Sequence, residues 1–317
     1  MNKVTIEEYN LLLTDLNLLA NEIKEEVSIR IKYDPQKPHD TIKIPVMIRC
    51  KDFNSFYEKA YFREKKYKNP INDITDKVGV RFVVLLPKQI QKLKAIIVNN
   101  PKWDTRVDRD VDTQIGDNPY NFDYLSTHIV VKRKNGLKFS LDPLTCEVQI
   151  RTLTQHAYAE LTHDLVYKTP VDVSTPVKRN VGRCMALIDT TDQIFGDTSI
   201  KIDKDVHAFN LKLKESIRFC ENNRFNTSMV KKINSQIYNN LIPIIKGIDL
   251  SCLEHDDDFM FKLKLVNDID NIYFKQPLTV FLVAAAIEYS AFLIDNWQID
   301  DDVKRLLFNK VGVSKAK

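Results

Sequence analysis

Glycine and proline are scarce, at 7 and 12 of 317 residues, which excludes a collagen-like or low-complexity chain. The five cysteines, Cys50, Cys146, Cys184, Cys220 and Cys252, are odd in number and form no CxxC pair. That excludes a disulfide framework and points to free thiols in a reducing cytoplasm. A long uncharged apolar run is also missing. The nearest approach, Pro277 to Trp297, carries Glu288 in its middle and Asp295 near its end, so it reads as a buried core helix and not a membrane span. The N-terminus, MNKVTIEEYNLLL, lacks the basic start and apolar core of a signal peptide. No single sign of charge dominates, because the formal net charge is only +4. From Asp197 onward basic and acidic residues balance, so the positive excess lies before that point and a polyanion site is sought there.

What is present is ordinary globular material, 44% hydrophobic and 28% charged. Leu11, Leu12, Leu16, Leu19, Ile23 and Val27 recur at helical spacing and predict an amphipathic helix over residues 6–31. Residues 41–50 predict a strand, and the segment from Phe53 to Asn69 a helix with a basic end. The β-branched run VGVRFVVLL, residues 78–86, predicts a central strand buried on both faces, followed by a helix that Pro87 opens. Residues 127–133 and 146–151 are further strands; 155–167 and 177–195 are helices. Beyond residue 196 only helices are predicted, at 209–222, 228–246, 259–273, 278–297 and 302–311, with GDTSIKIDKD as the join. The acidic clusters at 255–258 and 300–302 sit at helix starts, where the helix dipole favours them. The reading is an α+β domain over residues 1–196 with an N-terminal helix, then an all-helical extension over 197–317, which we expect to be regulatory.

Two acids border predicted strands. Asp76 precedes VGVRFVV, and Glu147 lies in CEVQIR. Neighbouring strands could bring them to one edge, where two carboxylates can hold a magnesium ion bridging phosphates, or accept a proton from an attacking hydroxyl. Arg49, Lys51, Lys59 and Arg63 lie just ahead of Asp76, and Arg81 follows it. Phosphoryl transfer needs such cations to offset charge on the leaving group. Lys65, Lys66 and Lys68 read as a solvated basic face.

These residues carry a resemblance. Arg49, Lys51, Ser55 and Lys59 stand at the RxKxxxSxxxK spacing of the RelA/SpoT-type nucleotidyl pyrophosphokinases. DKVGVR, residues 76–81, resembles that family's DIAGVR, and YLSTH, residues 124–128, its YxSxH loop. EVQIRT at 147–152 is nearly verbatim, and HAYAELTHDLVYK at 156–168 and LIDTTDQIF at 187–195 resemble its helical segments. The resemblance implies a nucleotidyltransferase-like mixed β-sheet flanked by helices. It implies transfer of pyrophosphate from ATP to a 3′-hydroxyl, with AMP leaving. Carried over, Arg49, Lys51, Ser55, Lys59, Arg63 and Arg81 would bind ATP, Arg63 at a spacing shifted by one. Asp76 and Glu147 would be the catalytic pair, Asp76 holding Mg2+ and Glu147 either holding Mg2+ or acting as base. Tyr124 would stack on the acceptor base, with Ser126, His128 and His163 near the acceptor.

The departures lie on the acceptor side. The family's KxNGYxS loop is here residues 118–124, without the lysine and with Asp123 in place of glycine. An acid there repels the phosphates of free GTP or GDP. Thr162 replaces the acid before the helical histidine. The residues ahead of Arg49 are too few for the hydrolase domain of the long bifunctional enzymes, so a stand-alone, synthetase-only member is expected. The acceptor that the resemblance implies is GTP or GDP, giving the (p)ppGpp alarmone. The alternatives are the 3′ end of tRNA, as in toxin-type members that block translation and act in phage defence, or a degenerate nucleotide-sensing module. No membrane partner is expected; a homo-oligomer is an open expectation.

Overall fold

The computed structural model describes residues 3–32, 41–110, 126–167, 169 and 171–313, and its chain divides into two compact units, Met1–Ser199 and Ile200–Lys317. The first is built on five strands: β1 (Met47–Cys50), β2 (Val78–Val84), β3 (Trp103–Arg109), β4 (Thr127–Arg133) and β5 (Thr145–Thr152). Their order is β1-β2-β5-β4-β3, with β2 and β5 parallel and the remaining pairs antiparallel. This is the expected mixed sheet.

The sheet has two unlike faces, because successive strand side chains alternate. Val78, Val80, Phe82, Ile129, Val131, Cys146, Val148 and Ile150 are buried on one face. Helix α1 (Ile6–Lys32) covers it with Leu16, Leu19, Ile23 and Val27, and the later helix Pro87–Val98 adds Ile90, Leu93 and Ile97. Leu11, counted in the apolar stripe, is instead 75% exposed. On the other face Gly79 and Arg81 are only half-buried, so β2 is not buried on both sides as its apolar run suggests. That open face is where the charged residues of the sheet collect.

Several boundaries differ from expectation for local reasons. The strand predicted over 41–50 is paired as a strand only from Met47, with one bridge from Ile42 to Val84; Pro45 between them has no N–H to give to a ladder. Helix α2 (Phe53–Tyr61) starts on Asp52, which accepts the Ser55 N–H. It stops well before Asn69, where further turns would stack the like charges of Arg63, Lys65, Lys66 and Lys68. Strand β3 escaped the sequence reading. It is an edge strand in which only Trp103 is buried, and its charged exterior hides the alternation. The helix predicted at 155–167 runs from Leu153 to Thr162 and ends in a π-helical turn, His163–Tyr167. The predicted join at 196–205 is not a loop, since Thr175–Asn222 is one helix.

The second unit contains no strand among its described residues. Its core gathers Phe259, Leu263, Phe274, Phe281, Trp297 and Phe308. The apolar run forms two helices, Thr279–Glu288 and Ser290–Asn296, bent by 112°. Residues 279–286 are all buried, as a core helix requires. Among the described residues no single helix is long and apolar enough to cross a membrane. Both acidic clusters begin helices. Asp256 accepts the N–H groups of Asp258 and Phe259, and Asp300 that of Asp302. Replacing Asp256 with Ala should cost about 1 kcal/mol of stability, while Asn should cost little because it still caps. Chemical denaturation of the two variants beside the parent checks this.

Candidate functional site

The strand registers assemble the site. Arg49 on β1 pairs with Gly79 on β2, which pairs with Glu147 on β5. The next row of the same face runs Met47, Arg81, Gln149, His128 and Arg109. Gly79 keeps the middle of this face low. A Cβ there would sit 3.3 Å from the Glu147 carbonyl oxygen. Arg109 reaches the row through a bulge between Val107 and Arg109, since without it Asp108 would oppose His128.

Asp76 lies just before β2. One oxygen, Oδ2, accepts from Lys51 Nζ at 2.6 Å and from Lys59 Nζ at 2.9 Å. Its other oxygen, Oδ1, is buried without a hydrogen-bond partner among the described residues. Burial pushes this carboxyl up, but the two ammonium groups outweigh it and hold it below the usual aspartate range. Burial likewise lowers Lys51, against the attraction of Asp76. Glu147 Oε1 lies 3.2 Å from His128 Nδ1, and its Oε2 accepts from Gln149 Nε2 at 2.7 Å. Here too burial raises the carboxyl and the neighbouring His128 outweighs it, so Glu147 is held below the ordinary glutamate value. Both acids are therefore carboxylates at neutral pH, and Asp76 acts on Glu147 electrostatically.

Asp76, Glu147 and Gln149 form a ridge that borders two clefts. The first, ≈600 Å³, is walled by Arg49, Lys51, Ser55, Arg63, Arg81 and His163. Arg81 is gripped by Glu160 at 2.5 Å from the helix above. The second, ≈490 Å³, is walled by Lys59, Lys65, Tyr67, Arg106, Arg109 and His128. The expected donor residues thus gather in one cleft, except Lys59, which faces the other. Ser126 lines neither; it is fully buried, with its hydroxyl 3.2 Å from Arg151 Nε. Tyr124 and the rest of residues 118–124 lie outside the described residues. Sequence reasoning missed Gln149, Glu160, Arg106 and Arg109. The first two sit inside motifs it had quoted, whereas the arginines became visible only with β3.

The site suits a hard divalent cation. Among the described residues no three His, Cys, Asp or Glu side chains converge as a ready-made cage. Magnesium, however, is commonly held by one or two carboxylates, its remaining positions filled by water and substrate phosphates. The unpartnered Oδ1 of Asp76 and the charged state of Glu147 fit that pattern.

Comparison with known proteins agrees with this architecture. Residues 48–172 match the model of the region found in RelA / SpoT proteins. GTP pyrophosphokinase YjbM of Bacillus subtilis (strain 168) is 24% identical over 197 residues, covering 61% of this chain and 90% of that protein. The crystal structure of small alarmone synthetase 1 from Bacillus subtilis superposes with a TM-score of 0.51 at 23% identity, over 62% of this chain and 99% of that one. A GTP pyrophosphokinase family protein from Streptococcus pneumoniae gives 0.52 at 24%, over 64% and 97%. These likenesses share the mixed sheet and flanking helices. Residues 48–172 thus match the region found in RelA / SpoT proteins, carried on the fold of these small alarmone synthetases.

Proposed function

We propose that the first unit transfers pyrophosphate from ATP to the 3′-hydroxyl of GTP or GDP, producing (p)ppGpp. The observation that carries this reading is the ridge of Asp76 and Glu147, charged and shared by two cation-lined clefts. A donor polyphosphate suits the first cleft, where Arg49, Lys51, Ser55, Arg63 and Arg81 offer cations and donors. An acceptor suits the second, where His128 Nε2 is buried without a partner among the described residues. A relative of the same fold was solved bound to its product pppGpp.

In this mechanism the acceptor's 3′-oxygen forms a bond to the β-phosphorus of ATP, and the bond from that phosphorus to the α–β bridging oxygen breaks. AMP leaves with the electron pair. Glu147 takes the hydroxyl proton, its carboxylate oriented by His128 and Gln149. Asp76 and Glu147 would hold Mg2+, which supplies charge neutralisation on the phosphate oxygens. Lys51 and Lys59 keep Asp76 ionised until then. The cations of the first cleft offset the charge gathering on AMP.

One observation favours a second acceptor, the 3′ end of tRNA. Residues 118–124 carry Asp123 and lack the lysine that would face a free nucleotide's phosphates. ATP labelled in its terminal phosphates, offered with GDP, GTP or bulk tRNA, should pass label to the small nucleotides. Label in tRNA alone would establish the second acceptor in its place, and label nowhere would remove the activity. Asp76→Asn and Glu147→Gln should each lower kcat by about 100- to 1000-fold; a fully active variant contradicts the mechanism.

The pH profile gives an independent reading. A base held below the ordinary glutamate value of 4.5 stays charged as pH falls through it. The acid limb of kcat/KM should therefore lie below pH 4.5. Replacing His128 with Gln removes the largest influence that lowers Glu147, leaving Gln149 alone against the burial that raises it. The acid limb of that variant should move toward neutral pH, and an unmoved limb counts against Glu147 as the base.

A further inference from the structure

Directly after Asp76 the chain carries a buried lysine where the pattern DIAGVR has isoleucine. This is Lys77, 0% exposed and among the largest fully buried side chains of the protein. Burying an ammonium is costly where an isoleucine would be at ease, so the charged head needs a partner. Its Nζ donates to the Ile74 carbonyl, three residues back and on the far side of Asp76. We propose that Lys77 is a positioning residue for the divalent ion: it closes the segment 74–77 and so fixes the direction of the Asp76 carboxylate. The inference rests on the reading of Asp76 as an ion ligand.

The backbone around Asp76 is held from three sides. The Ile74 carbonyl takes the Lys77 ammonium, the Thr75 carbonyl takes the Thr145 hydroxyl of β5 at 3.5 Å, and the Lys77 carbonyl takes the Lys51 N–H at 2.9 Å. The Lys77 bond is charge-assisted and spans Asp76 itself. Residues 74–77 precede β2 and have no strand ladder to fix them, so these bonds set where the Asp76 side chain points. Lys51 and Lys59 then hold Oδ2, and Oδ1 stays buried without a hydrogen-bond partner among the described residues. Lys77 thus acts through the main chain, whereas the other two lysines act on the carboxylate.

The surroundings of Lys77 tolerate its replacement. Burial works against the ammonium, and Asp76, Asp142 and Asp73 favour it. Asp142, 2% exposed in the connection between β4 and β5, has partners of its own. It accepts from Asn135 Nδ2 at 3.0 Å and from the Leu144 N–H at 2.9 Å, and it lies 3.8 Å from Lys132 Nζ. Loss of the Lys77 charge therefore leaves no bare carboxylate behind it. Methionine keeps most of the buried stem and lacks the donor.

Electron paramagnetic resonance of Mn2+, added to the full chain with a nonhydrolysable ATP analogue, tests this, because two roles predict opposite signs. A lysine that acts only by its charge repels the ion, so Lys77→Met would bind Mn2+ more tightly. A lysine that fixes Asp76 makes Lys77→Met bind Mn2+ about tenfold more weakly. Affinity for the analogue without metal should not change, and Lys77→Gln, which keeps an N–H for Ile74, should recover part of the loss. Equal or tighter Mn2+ binding by Lys77→Met would overturn the proposal. So would an equal loss of the metal-free analogue, or Gln no better than Met. Should Lys77→Met not fold, Thr145→Val loosens the same segment with no change of charge; weaker Mn2+ binding supports the proposal and unchanged binding overturns it. Asp76→Asn separates the two claims. A weakened ion there beside a parent-like Lys77→Met removes the positioning role alone, and parent-like binding in both removes the ion-ligand reading with it.

Discussion

Asp76 carries two ammonium groups on one oxygen and leaves the other bare. That arrangement costs burial energy for a carboxylate and two lysines, and it is tolerable because opposite charges sit within hydrogen-bond reach. Much of the first unit is arranged to keep it there. Tyr9 on α1 stacks on Phe56 at 4.5 Å and donates its hydroxyl to the Lys51 carbonyl at 2.9 Å, tying the long N-terminal helix to the chain segment that presents Lys51. Phe56 and Ala60 bury one side of α2, which leaves Lys59 on the other, toward Asp76. The short helix Pro70–Asp73 and the buried Ile74 then fix the approach to β2.

The sheet supplies the second half of the site by simple alternation. Its apolar residues turn toward α1 and the Pro87–Val98 helix, and the alternate positions Gly79, Arg81, Glu147, Gln149 and His128 face the clefts. Parallel pairing of β2 with β5 sets Gly79 opposite Glu147, so the low point of the face lies beside the Glu147 carboxylate. The helix Leu153–Thr162 continues from β5 through a capping box of Thr152 and Gln155, and Asp192 anchors Thr152 and Thr154. This brings Glu160 into contact with Arg81.

Sequence and structure agree where a local signal is strong. The β2 run, the Pro87 helix, the EVQIRT strand and the Asp256 and Asp300 caps are each fixed by residues that admit few alternatives. Agreement is weaker where long-range pairing decides. Strand β3 has one buried residue and exists because β4 lies beside it, so Arg106 and Arg109 were invisible without the sheet. The segment at 196–205 has the polar composition of a linker, yet it continues a helix begun at Thr175. Ser126 lies in a motif and reads as a ligand contact, but its buried hydroxyl oxygen accepts from Arg151 Nε. Composition cannot distinguish a side chain that faces a cleft from one that supports its floor.

The central claim is that Asp76 and Glu147 jointly hold a divalent ion between two substrate clefts. Electron paramagnetic resonance of Mn2+, added with a nonhydrolysable ATP analogue, measures this without turnover. The parent chain should bind one tightly held ion in the presence of the analogue, and Asp76→Asn and Glu147→Gln should each weaken it about tenfold or more. An ion bound equally well by all three proteins would contradict the account.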